Sequence, residues 1–202
     1  QAPNVATSWE LSADAKTLTV KLREGIRWSD GEPFTTEDIK FWWEDLVGNE
    51  ILTPNVPAQW APGGEKMEMR FIDDYTYQYV FSVPSPSFPE NLAHPNRGIT
   101  PIKHAKHYLS QFLPKYTDEA KLTEMAKEEG FETWDQLFSD KNRTWSDLPL
   151  NNPDRPMITA VTPKEFGTDL VIWERNPYYW KVDVEGNQLP YMDGIHTELV
   201  QD

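Results

Sequence analysis

The chain has 202 residues and a formal net charge of −14, long enough to bury a core as one domain or two small ones. It is too acidic, without any concentrated basic patch, to suit a polyanion such as nucleic acid. No cysteine is present, so disulfide frameworks, thiolate metal sites and cysteine nucleophiles drop out together.

No window approaches the roughly 18 to 20 apolar residues that a spanning helix needs, and the first residues from Gln1 show neither a basic segment nor the apolar run of a signal peptide. With a first residue other than Met, the sequence reads as a piece of a longer precursor. Aromatic residues make up 13% of the chain and include nine tryptophans. Most should be core and turn anchors, while a few could line a groove for sugars or peptides.

In chain order, Trp9 to Ser12 predicts a short strand that returns through Ala13 to Lys16 into a second strand, Thr17 to Leu22. There Leu18, Val20 and Leu22 alternate with polar residues and fall on one face. Arg23-Glu24-Gly25 and Ser29-Asp30-Gly31 are two turn signals in quick succession, with Ile26 and Trp28 between them pointing the same way. Thr35 suits an N-cap, and Asp38, three residues on, can reach back to it. The helix that follows carries Ile39, Trp42, Trp43 and Leu46 as an apolar stripe and stops near Gly48.

Ile51 to Gly64 contains three prolines and two glycines, which excludes a helix or a central strand and leaves a loop with Trp60 near its tip. Trp60 there reads either as a packing anchor or as a binding platform. Met67 to Ile72 and Tyr75 to Val83 predict a hairpin turning at Asp73-Asp74, with Tyr75, Tyr77, Tyr79, Phe81 and Val83 on one face. Pro84 to Pro89 must be a connector. A helix is expected after Pro101, carrying His104 and His107.

Asp118 to Glu129 reads as a helix ending at Gly130, and Thr133 as the cap of a shorter one through Phe138. Pro156 to Thr162 and Asp169 to Arg175 read as paired strands, the second apolar on both faces and so central. Asn176-Pro177 starts a turn that Tyr178, Tyr179 and Trp180 are expected to pack down. Ile195 to Val200 reads as a last strand.

The catalytic motifs that can be searched for (nucleophile elbow, phosphate loop, His-Glu-x-x-His, calcium loop) do not occur. His104 and His107 lack a third ligand at helical spacing, so they do not make a zinc site. Glu37-Asp38 and Asp73-Asp74 are explained as helix-start and turn residues. An acidic, tryptophan-rich chain could also be a glycoside hydrolase with two facing carboxylates, but 33 acids give no ground for choosing a pair.

Two stretches carry a resemblance. Trp9, Lys21-Leu22-Arg23-Glu24-Gly25-Ile26-Arg27-Trp28-Ser29-Asp30-Gly31, Pro33-Phe34-Thr35 and Glu37-Asp38-Ile39 form the first. Glu174-Arg175-Asn176-Pro177-Tyr178-Tyr179-Trp180, continuing to Asp193, forms the second. Together they resemble the family 5 extracellular solute-binding proteins, the peptide-binding and oligosaccharide-binding receptors of ABC importers. In that family Pro101-Ile102-Lys103-His104 resembles a structural turn.

The resemblance implies an α/β fold of the α+β type, with a mixed, largely antiparallel sheet and flanking helices, forming part of a two-lobed periplasmic-binding-protein-like receptor. It implies a fragment of the first lobe in four segments. Residues 1–48 would be the signature hairpin and capped helix, 49–116 a loop, hairpin and connector helix, 117–150 a helical insertion, and 151–202 the closing strands. The implied function is capture of oligopeptides or oligosaccharides outside the cytoplasmic membrane for ABC permease subunits. The receptor would be a monomer in the periplasm or at the cell surface, held to the membrane only by a lipid anchor outside this fragment. Neither catalysis, nor a cofactor, nor a metal, nor nucleic acid enters that function. Trp60, on the loop after the signature helix, is the expected ligand-binding residue. The alternatives are a carbohydrate-active enzyme and a cell-surface interaction module.

Overall fold

The computed structural model describes residues 4–143, 152–167 and 170–198. These form two compact units, one built from residues up to Gly25 together with Phe34–Lys106, the other from Ile26–Pro33 and His107 onward.

The first unit is a four-stranded antiparallel sheet with helices. Its strands are β1 (Ala6–Leu11), β2 (Thr17–Leu22), β3 (Glu68–Asp73) and β4 (Thr76–Val80), ordered β1-β2-β4-β3. Register places Trp9 opposite Val20, Val20 opposite Tyr77, and Tyr77 opposite Phe71, while Leu18 pairs with Tyr79 and Tyr79 with Met69. Because strand residues alternate between faces, these side chains share one face, and the opposite face carries Thr19, Gln78 and Arg70. Leu18, Val20, Leu22, Tyr77, Tyr79 and Met69 are buried, as the period-2 pattern predicts.

Helix α1 (Thr36–Phe41) starts where expected. The Thr35 side chain accepts a backbone bond at the helix start, and Asp38 reaches back to the Thr35 amide in a reciprocal capping box. From Trp42 to Val47 the helix widens into a π-turn, closed by the Gly48 amide donating to the Trp43 carbonyl at 3.0 Å. The wider turn lets Trp42, Trp43, Leu46 and Val47 all be buried, so the apolar face is broader than an α-helical stripe allows. The loop that follows contains short 3₁₀ turns at Ala58–Trp60 and Pro62–Gly64. Helices α2 (Phe88–Leu92) and α3 (Pro95–Gly98) come after the hairpin. On its tyrosine-bearing strand Tyr77, Tyr79 and Phe81 are buried, but Val83 is exposed.

One expectation fails here. The segment after Pro101 is a 3₁₀ turn over Thr100–Ile102, and the next helix, α4, covers only Lys106–Leu109. His104 therefore precedes the helix that holds His107, and it is a buried residue.

The second unit has a helical part and a three-stranded antiparallel sheet. Helix α5 (Glu119–Glu128) is N-capped by the Asp118 carboxylate, which accepts from the Ala120 and Lys121 amides. It ends where Gly130 takes φ +84° and the Phe131 amide closes back on the Ala126 carbonyl at 2.7 Å, a Schellman-type stop. Helix α6 (Trp134–Lys141) follows Thr133, whose side chain makes no capping bond. The expected insertion runs beyond α6 to Trp145, which lies outside the described residues.

Strands β5 (Val161–Phe166), β6 (Leu170–Arg175) and β7 (Gly194–Glu198) are ordered β5-β6-β7. The strand expected at Pro156–Thr162 thus begins five residues later. Residues before Val161 instead make irregular backbone bonds, with the Ser29 amide donating to the Met157 carbonyl and the Met157 amide donating to Ser29 Oγ. β6 is the central strand. The last strand is seen from Gly194 to Glu198, and Leu199 and Val200 lie outside the described residues.

The turn after β6 is held by Asn176 more than by the three rings. Asn176 is fully buried, donates from Nδ2 to the Thr159 carbonyl at 2.9 Å and accepts the Tyr178 amide on Oδ1 at 2.9 Å. Tyr178 is 44% exposed and lies against Gly31, whose φ of +93° and 3.0 Å approach to the ring leave no room for a Cβ.

Candidate ligand-binding site

Trp60 sits at the end of the first 3₁₀ turn, where the Trp60 amide donates to the Pro57 carbonyl and the Met67 amide returns to the Trp60 carbonyl. Its side chain is 2% exposed. The ring meets Trp42 edge-on at 4.9 Å, stacks near-parallel to Tyr79 at 6.5 Å and meets Phe88 at 6.2 Å. Gly63, at φ +77°, places the loop against Val83. Trp60 thus fastens the loop to the sheet and to the π-turn. The surface of the loop is provided by Ile51, Pro54, Asn55, Pro57 and Ala58, all exposed.

On the apolar face of the same sheet lies a groove of about 610 Å³. The strands supply Trp9, Leu18, Val20 and Tyr77, and the helical segment supplies Leu92 and Ile99. Trp9 is the most open of the sheet residues, at 37% exposure. The volume is in the range of small-molecule sites, and the lining suits apolar or ring-shaped groups. The Tyr77 and Tyr79 hydroxyls lie 3.4 Å apart in the interior. Burial pushes the Tyr77 hydroxyl up to about 12, and that of Tyr79 well above the usual range. Both stay neutral at any physiological pH.

The second unit offers two polar clusters. His107 Nε2 stands 2.7 Å from Asp30 Oδ2, with Trp28 edge-on to the imidazole at 6.2 Å. Asp183 accepts from Tyr191 Oη at 2.6 Å and from the amides of Glu185 and Asn187. These bonds hold its carboxyl well below the usual carboxylate range and raise the Tyr191 hydroxyl. Each cluster closes a turn. Among the described residues no group of three His, Cys, Asp or Glu is placed to hold a metal ion.

Sequence reasoning placed Trp60 on its loop but missed the groove, which needs the register of three strands. It also missed the His107–Asp30 pair, whose partners are 77 residues apart. The alternation of Leu18, Val20 and Leu22 with the tyrosine strand was the available signal for the groove's floor.

An antiparallel sheet with flanking helices, an apolar groove and a loop anchored by tryptophan defines a lobe fragment of the solute-binding-protein class. The chain belongs to the bacterial extracellular solute-binding proteins, family 5, whose middle region matches residues 1–202. It is 34% identical over 198 residues to the periplasmic alpha-galactoside-binding protein of Rhizobium meliloti, covering 98% of this chain and 25% of that protein. It is 29% identical over 135 residues to the periplasmic oligopeptide-binding protein OppA of Salmonella typhimurium, covering 60% of this chain and 24% of that one. Among solved structures, an oligopeptide-binding protein OppA superposes with a TM-score of 0.84 at 39% identity, over 98% of this chain and 30% of its own. The periplasmic binding protein MelB of Agrobacterium fabrum, in complex with stachyose, superposes with a TM-score of 0.70 at 33% identity, over 98% and 26%. The chain thus spans about a quarter of the length of these curated relatives.

Proposed function

We propose that the full-length protein is the substrate-binding component of an ABC importer. It captures oligopeptides or oligosaccharides outside the cytoplasmic membrane and delivers them to permease subunits, closing two lobes on the ligand. The observation that carries the reading is the match along nearly the whole chain to proteins whose names specify alpha-galactoside and oligopeptide binding. In this reading the receptor is a monomer, periplasmic or tethered to the cell surface by a lipid anchor outside these residues, and it catalyses no reaction.

Within the receptor, residues 1–48, 49–116, 117–150 and 151–202 serve as signature hairpin and helix, loop with hairpin and connector, helical insertion, and closing strands of the first lobe. Trp60 acts in ligand binding as the residue that fixes the Ile51–Gly64 loop. Calorimetry of the full-length protein with alpha-galactosides and with short oligopeptides tests the proposal. Heat of binding with either class supports it, and no binding to both rejects it.

A further inference from the structure

The two sheets have four edge strands, β1, β3, β5 and β7. An edge strand presents unpaired N–H and C=O groups, and soluble proteins blunt such edges with bulges, prolines and charges. Three of the four are blunted in this way. β1 has a register shift between Ala6 and Ser8, β3 one between Phe71 and Asp73, and β5 one between Pro163 and Glu165. β5 adds a proline and Lys164 at the shift, and β3 carries Glu68 and Arg70.

β7 has none of these devices. Gly194 to Glu198 pair with β6 in unbroken register, and all five residues are exposed. Gly194 even permits a close approach, since a Cβ there would stand 2.5 Å from the Trp173 carbonyl oxygen. Tyr191 and Met192, 69% and 50% exposed, run directly into the strand. β6, although central, keeps Leu170, Val171, Ile172 and Trp173 only half-buried, so the sheet lacks the cover that a finished central strand receives.

The free hydrogen-bonding groups can be assigned. The Arg175 amide donates to the Asp193 carbonyl at 2.9 Å, which makes Arg175–Asp193 a hydrogen-bonded pair. Antiparallel pairs alternate, so Trp173–Ile195 and Val171–Thr197 are bonded pairs too. The amides and carbonyls of Gly194, His196 and Glu198 then point away from β6.

We propose that β7 is an internal strand of the complete protein, and that a further strand pairs with it through Gly194, His196 and Glu198. The occupant is polypeptide of the same chain lying outside residues 1–202. The argument for that occupant is length: this chain accounts for only 25–30% of the relatives and structures it matches along 98% of its own residues. The inference does not depend on whether the receptor takes peptide or sugar.

Site-resolved amide exchange on the ligand-free full-length protein, at two concentrations, tests it. Ile195 and Thr197, already bonded to β6, serve as internal references. The His196 and Glu198 amides are expected to exchange as slowly as these, roughly 100-fold or more slower than open amides, at both concentrations. Fast exchange at His196 and Glu198 overturns the proposal. So does protection that disappears on dilution, which would make a second copy the occupant. Protection that arises only when ligand is added also overturns it, since the bound ligand would then be the added strand.

Discussion

Asp38 answers Thr35 at both ends of one exchange. Its Oδ2 accepts the Thr35 amide at 3.1 Å, while the Thr35 hydroxyl accepts the Glu37 amide at 3.2 Å. The other carboxylate oxygen accepts the Lys106 amide at 3.0 Å, so one buried side chain starts α1 and ties down a segment 68 residues on. Thr35→Ala should cost about 1 kcal/mol, the usual loss for a cap. Asp38→Ala should cost more, about 2–3 kcal/mol, because two buried backbone donors lose their acceptor. Denaturant titration of the two variants checks the order.

Trp60 supports a prediction on both stability and binding. Removing its ring from between Trp42, Tyr79 and Phe88 leaves a large cavity, and Trp60→Ala should destabilise the protein by about 3–5 kcal/mol. In the full-length protein its ligand affinity should fall as well, whereas Trp60→Phe, which keeps a ring in place, should retain most of both. Thermal melts paired with calorimetry separate the two effects. Unchanged affinity in a properly folded Trp60→Ala protein would remove the loop from the binding site.

The capping box, the period-2 strands and the α5 helix were legible because each depends on residues close together in the chain. Thr35 with Asp38, Leu18 with Val20, and Asp118 with the first turn of α5 are such cases. What was illegible depends on distant partners. The strand expected from Pro156 begins at Val161 because Met157 bonds to Ser29, 128 residues away. The helix expected after Pro101 is delayed to Lys106, whose amide is taken by Asp38. Trp60 was found on its loop, yet the depth at which it lies is set by Trp42 and Phe88, neither of which is a sequence neighbour.

Asn176 should tolerate no substitution well. Its amide nitrogen must donate to Thr159 and its oxygen must accept from Tyr178. Asn176→Asp keeps the acceptor but places a carboxylate against a carbonyl oxygen, so it should be as damaging as Asn176→Ala. Each should lose about 2–3 kcal/mol. Equal stability of Asn176→Asp and the parent protein in a urea titration would contradict this geometry.

The tyrosine pair predicts an alkaline limit. The Tyr77 hydroxyl is raised from an ordinary value near 10 to about 12 by burial, so the folded state holds a proton that the unfolded state releases. Its contribution is therefore complete below pH about 10 and is lost as pH rises toward about 12. Tyr77→Phe should abolish this part of the pH dependence, on the order of 2–3 kcal/mol. Tyrosinate absorbance followed during alkaline unfolding checks it: the buried pair should ionise together with loss of structure and not before.

The central claim is capture of an oligomeric solute by the complete receptor. Its most direct measurement is calorimetric titration of the purified, ligand-stripped full-length protein with alpha-galactosides such as stachyose and with tri- to pentapeptides. The account predicts saturable binding of at least one of these classes at one site per monomer. Absence of saturable binding by both classes, in a protein shown to be folded, would contradict it.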